Sequence, residues 1–258
     1  MTTPTSTALK SIRPGPVFLG LCVAVIAGGY LLASSGSDRT ATAIGGAILF
    51  VLGGWVISVA LHEFAHAFTA FRYGDRSVEI RGYLTLNPLK YTHPGLSIGL
   101  PLLIVALGGI GFPGGAVYLN TAAFSRRQRT AVSLAGPATN LVIGAVLLVV
   151  LAVTDPAGVA NLYAATAFLA FLQITATILN LIPVPGFDGY NAIEPYLSYE
   201  TRATAAKIAP YGFLIVFLLL FVPQLNALFF DAVYAVIDAA GVAPGAVGYG
   251  LGLFTFWR

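Results

Sequence analysis

Formal charge is scarce in this chain. Asp, Glu, Lys and Arg make up 9 % of its 258 residues, against about 25 % in an average soluble domain. Too few polar groups are present to coat a water-soluble globule of this size. Intrinsic disorder is excluded too, because it requires low hydrophobicity and high charge, and here 57 % of residues are hydrophobic. One cysteine, Cys22, rules out a disulfide framework and any cysteine-rich metal cluster; within an apolar run it reads as a small buried hydrophobe. A net charge of +3 gives no sign of a nucleic-acid partner. What remains is a chain whose natural solvent is lipid.

The intervals between charges map the membrane spans, since about 20 mostly apolar residues cross the hydrocarbon core as a helix. Formal charge is missing over 14–37, 40–62, 130–154 and 208–230, and over two longer runs, 91–125 and 156–187. A last run, 239–257, is rich in Gly and Pro and predicts a poor helix; residues 224–238 read as a further span or an interfacial helix. Lys10 and Arg13 precede the first run in the manner of a signal peptide, but its length and the spans that follow favour a retained helix. Arg126, Arg127 and Arg129 read as topology-holding groups, and Tyr190, Tyr196 and Tyr199 as interfacial anchors. The expected fold is an all-α polytopic membrane protein with about six transmembrane helices. It is read as a single domain over 1–258.

Basic residues set the orientation. With a cytoplasmic N-terminus, eleven of the thirteen Lys and Arg fall inside, Arg39 falls outside and Arg258 is undecided. That count requires 91–125 to enter and leave on one side. Its three prolines and its glycine cluster suit a re-entrant segment or broken helix pair, allowed at depth only when packed against protein. Residues 76–98 open with RSVEIRGYLTLNP, which alternates polar and apolar positions and predicts a short strand or hairpin.

The second span ends LHEFAHAF. Four residues apart on a helix, His62 and His66 share a face about 6 Å apart along the axis. That placement lets two imidazoles hold one zinc ion, with Glu63 between them able to serve as general base. In an ordinary soluble chain, chance or two satisfied core histidines is the competing but lesser reading of the motif. Here two of only three histidines stand in it, and ionisable groups at membrane depth are costly and usually functional. A catalytic zinc site generally needs a third protein ligand. Asp38, Asp155, Asp231 and Asp238 fall at the far side, Asp75 and Glu79 in an exposed-looking basic stretch, and Glu194 and Glu200 in a polar loop. Asp188 ends a long uncharged run on the side of His66, after a break at Pro183, Pro185 and Gly186. Asp–Gly is equally a plain turn signature, so spacing alone leaves ligand and turn on a par.

HEFAH, SLAGPATN at 133–140 and NLIPVPGFDG at 180–189, in this order in a polytopic chain, resemble the site-2 protease family of intramembrane zinc metalloproteases. GYLTLNPLK at 82–90 is similar to a compact prokaryotic branch that lacks PDZ and nucleotide-sensing domains. The resemblance covers about 43–195. It implies one zinc ion per chain, with Asp188 as third ligand beside His62 and His66, Glu63 as base, and Asn180 as donor to the substrate or the developing oxyanion. It also implies a cell-membrane location with the site on the cytoplasmic side, and a transmembrane protein as substrate. Gly186 and Tyr190 depart from the family pattern, where Pro and Gly are usual; neither position supplies a ligand.

The expected function is therefore hydrolysis of peptide bonds in or near transmembrane segments. Its rivals are a transporter or metal-permeation protein using the same His/Asp cluster, and an inactive helix-binding scaffold. Glu63 favours the enzyme, because ion passage needs no base. A strand near 78–86 would offer an edge to an unwound substrate. Gly95–Gly99 matches G-x-S-x-G without its strand–turn–helix setting. Gly109–Gly114 matches G-x-G-x-x-G without a βαβ unit. Both read as turns, and His93 as a loop residue.

Overall fold

A computed structural model describes residues 12–91 and 117–256. Over these the chain is helical: α1 Pro16–Ser34, α2 Ala41–Arg72, α3 Ser77–Ile80, α4 Arg126–Val153, α5 Ala160–Leu181, α6 Asp188–Ile193, α7 Tyr199–Leu219, α8 Pro223–Ala239 and α9 Ala246–Phe254. Five of these are long and apolar enough to cross a membrane: α1, α2, α4, α5 and α7. The protein is a multi-pass membrane protein. The proposed re-entrant stretch, the two glycine motifs and His93 lie largely or wholly in 92–116, outside the described residues.

α5 is the central helix and is mostly buried, whereas α1 and α7 turn most of their surface outward. Close packing without a hydrophobic drive requires small residues where helices cross. Gly28 of α1 meets Gly46 and Phe50 of α2, where a Cβ would fall 2.7 Å from the Phe50 nitrogen. Gly144 of α4 lies against Gln173 and Ile174 of α5. α2 carries a π-helical turn at Ile48–Leu52, well ahead of the two histidines.

Helix order places the two ends of the bundle. Asn161, fully buried at the start of α5, donates to Ser35 Oγ (2.9 Å) and the Asp38 carbonyl (3.0 Å). Tyr249 OH of α9 is 2.9 Å from Asn161 Oδ1, and Arg39 donates to the Gly252 carbonyl. At the other end, Gly15 N–H donates to the Thr85 carbonyl, joining the start of α1 to the segment after α2. Arg72, Arg76, Arg81, Lys90, Arg126, Arg127 and Arg129 therefore gather at one end, and Arg39 lies at the opposite one.

Three expectations are corrected. The strand or hairpin over 76–98 is absent from its described part: α3 and two 3₁₀ turns, Tyr83–Thr85 and Pro88–Lys90, take its place. Left-handed backbone at Gly82 (φ 74°) and Leu86 (φ 54°) coils the chain. It buries Val78 and the adjacent Tyr83 and Leu84 in one cluster with α2, a spacing that a period-2 strand cannot give, and buries Leu86 as well. No edge for an unwound substrate exists at 78–86. The uncharged run 208–230 is not one helix; it breaks at 220–222 before Pro223. Gly212 packs on Pro185 at the site end, and Ala243 N–H donates to Tyr163 OH at the opposite end. The chain between them traverses the bundle in two pieces. Finally, the Gly-rich tail forms α9, because its glycines let it seat on α5: a Cβ at Gly250 would overlap the Ala164 carbonyl. Gly250→Val is expected to cost about 1–3 kcal/mol by overpacking and to lower the apparent melting temperature in detergent. Gly248→Ala, facing open space, is expected to leave it unchanged.

Candidate metal centre

α2 presents His62 and His66 one turn apart, with ring centroids 4.7 Å apart and the rings edge to face. After α5 ends at Leu181, the segment Pro183–Phe187 turns the chain back, with Gly186 at φ 104°. This brings Asp188, the first residue of α6, over the pair. A Cβ on Gly189 would strike the Leu181 carbonyl, so the glycine after Asp188 is what lets α6 fold so tightly onto the end of α5. Asp188 Oδ2 is 3.2 Å from His62 Nε2 and 3.3 Å from His66 Nε2, and the two Nε2 atoms are 3.0 Å apart.

Three candidate ligand atoms thus form a nearly equilateral triangle. Ligands at about 2.0–2.1 Å from a tetrahedral zinc lie about 3.3 Å from one another, so the donor set and its spacing fit zinc with a fourth position open. Each Nδ1 faces an oxygen: His62 Nδ1 is 2.7 Å from Asn140 Oδ1, and His66 Nδ1 is 2.6 Å from the Val132 carbonyl. With the proton on Nδ1, each Nε2 offers its lone pair to a metal.

α4 makes this proximity possible through Gly136. A side chain there would occupy the space of both imidazoles, His66 Nε2 and His62 Nε2 being its nearest neighbours. Pro137 follows inside the helix, removing the N–H that would otherwise serve the Ser133 carbonyl. Glu63 is buried beside the triangle, and Val117 lines the same cavity. A cavity of about 400 Å³ joins these groups to Thr121, Arg129, Asn180, Asn191 and Glu194. Asn180 lines it and donates from Nδ2 to the Ala176 carbonyl at 3.0 Å.

Several residues here were not singled out from sequence. Asp75, expected to be exposed, is buried: it accepts from Ser77 and from Asn120 N–H (2.7 Å). It thereby ties the 117–121 segment, which roofs the cavity, to the end of α2. Glu194 lies 3.8 Å from both Arg129 and Arg202 at the mouth. Asn140 bonds Gln173 of α5, and Gln173 bonds Ser58 of α2. An amide at each of two positions inside uncharged spans was the signal that could have found this pair, since such groups are costly in lipid.

A polytopic helical bundle, a His–His–Asp triangle of zinc dimensions and a buried glutamate beside it define a membrane-embedded metal-dependent hydrolase. Comparison with known proteins agrees. The profile of Peptidase family M50 matches residues 49–161. Zinc metalloprotease Rip2 of Mycolicibacterium smegmatis is 55 % identical over 251 residues, covering 96 % of each chain. Rip2 of Mycobacterium tuberculosis is 46 % identical over 248 residues, again covering 96 % of each. Zinc metalloprotease YwhC of Bacillus subtilis is 34 % identical over 181 residues, 67 % of this chain and 80 % of that one. No solved structure matches. The chain belongs to peptidase family M50, the site-2 family of zinc metalloproteases.

Proposed function

We propose that the protein hydrolyses peptide bonds in or near the transmembrane segments of membrane-protein substrates. In this reading His62, His66 and Asp188 hold one zinc ion, Glu63 is the general base and Asn180 assists. The carrying observation is the ligand triangle with Glu63 beside it in one cavity at the end of a span. Bound zinc supplies Lewis acidity, polarising the scissile carbonyl and making water a better acid. Glu63 removes the proton from the attacking water and delivers it to the leaving amine nitrogen. Asn180 spends one N–H on Ala176 and keeps the second for the carbonyl oxygen of the substrate, where negative charge develops. Thr121, Arg129, Asn191 and Glu194 give water a polar route in.

The end of the bundle that carries the site also carries most of the basic residues, which supports a cytoplasmic placement for it and for the N-terminus. Glu63 favours hydrolysis over ion permeation, which needs no base. The ligand assignment is tested with Asp188→Ala and His62→Ala in purified protein: each is expected to lose stoichiometric zinc and cleavage of a membrane-helix reporter together. Zinc retained at one per chain in either variant would overturn the assignment.

A further inference from the structure

The geometry points to Asn140 and Gln173 as positioning residues that fix the proton of His62 on Nδ1 and so hold its Nε2 ready for metal. The inference rests on His62 being a zinc ligand. His66 needs no such device, because its Nδ1 faces a backbone carbonyl, which can only accept. His62 faces a side-chain amide, which can present either oxygen or NH₂ to the ring. If Asn140 presented NH₂, the imidazole proton would move to Nε2, and that nitrogen could no longer bind a metal.

A buried chain of hydrogen bonds opposes that reversal. Asn140 Nδ2 donates to Gln173 Oε1 at 3.2 Å, Gln173 Nε2 donates to Ser58 Oγ at 3.0 Å, and Ser58 Oγ donates to the Trp55 carbonyl at 2.8 Å. Ser58, Asn140 and Gln173 are 1 %, 3 % and 0 % exposed, so water cannot substitute for a lost partner. The last acceptor is a backbone oxygen. With its hydrogen on Trp55, Ser58 turns a lone pair to Gln173, which must offer NH₂; its oxygen then takes the Asn140 NH₂, and the Asn140 oxygen faces His62. Reversing one amide breaks a bond at each junction unless all turn together. The chain links α2, α4 and α5, and the close contact of Gly144 with Gln173 Cβ (3.3 Å for an added Cβ) brings α4 and α5 near enough to make it. Groups that orient a ligating histidine through its second nitrogen typically change metal affinity 10- to 100-fold when removed.

The test measures zinc affinity by chelator competition on purified full-length variants, with circular dichroism and gel filtration reporting the folded state. Asn140→Leu and Gln173→Met are each expected to weaken zinc binding by about 10-fold or more. Asn140→Asp, an obligatory acceptor toward His62 Nδ1–H, is expected to bind zinc at least several-fold more tightly than Asn140→Leu. A residue that merely fills space would show the opposite, because the aspartate buries a charge. Should Asn140→Leu not fold, Asn140→Asp is compared with Gln173→Met by the same criterion. Gln173→Met binding zinc as tightly as wild type, or Asn140→Asp binding it no better than the apolar variant, overturns the inference. His62→Ala is the control: zinc binding unchanged there would overturn the ligand assignment instead.

Discussion

Glu63→Gln is expected to keep one zinc per chain and to cleave a membrane-helix reporter about 10²- to 10⁴-fold more slowly, the usual contribution of a positioned general base. The substitution is nearly isosteric, so the buried position beside the triangle stays filled. It leaves His62, His66 and Asp188, whose candidate ligand atoms lie within 4.8 Å of one another, unaltered. What it removes is proton acceptance: an amide cannot take the proton of the attacking water at neutral pH. Zinc content and cleavage should therefore separate in this variant, while they fall together in Asp188→Ala. A Glu63→Gln enzyme that cleaves as fast as wild type would sink the mechanism. One that loses zinc would show that Glu63 is needed to form the metal centre.

Gly136→Ala carries the second large effect, although the residue has no functional group. The three nearest atoms to an added methyl are Nε2 of His66 and Nε2 and Cε1 of His62. These are the ends of the rings that face Asp188 in the candidate metal centre, each already held from behind by its Nδ1 partner. Accommodation requires that α4 back away or the rings turn, and either change spoils the 3.0–3.3 Å triangle. Zinc affinity is expected to fall at least about 10-fold, the lower end of the range for disturbing ligand orientation, and cleavage with it. Gly45→Ala in α2, with nothing within 4 Å of an added Cβ, is the matched control and should change neither. Wild-type zinc affinity in Gly136→Ala would mean that α4 does not press on the histidines.

The contrast between Gly136 and His62 marks how much of the site was legible in the sequence. A helix repeats every 3.6 residues, so His62, Glu63 and His66 could be placed on one turn from spacing alone. Asp188 is separated from them by two long helices, and nothing in spacing distinguishes a turn aspartate from a ligand. It took the turn at Gly186 and the tight fold of α6 onto Leu181 to bring it within 3.3 Å. Asn140 and Gln173 stood out only as amides inside uncharged spans; that they pair with each other and with Ser58 was hidden, because a buried polar group announces only that it has some partner. Asp75 misled in the other direction: its basic neighbours suggested exposure, yet its partners are backbone and hydroxyl groups that burial brought to it.

Charge scarcity by itself determined the solvent, the approximate spans and the end of the bundle where basic residues gather. Those follow from transfer energies of single residues and need no knowledge of contacts. Tertiary structure alone decided the rest. It replaced an expected strand with coiled 3₁₀ turns, split the run 208–230 at Pro223, seated a Gly-rich tail on α5, and brought Asp188, one of ten acidic residues, to the two histidines. Each of these depends on which groups meet across helices distant in sequence, and in lipid that is settled by close approach at small residues and by the pairing of buried polar atoms.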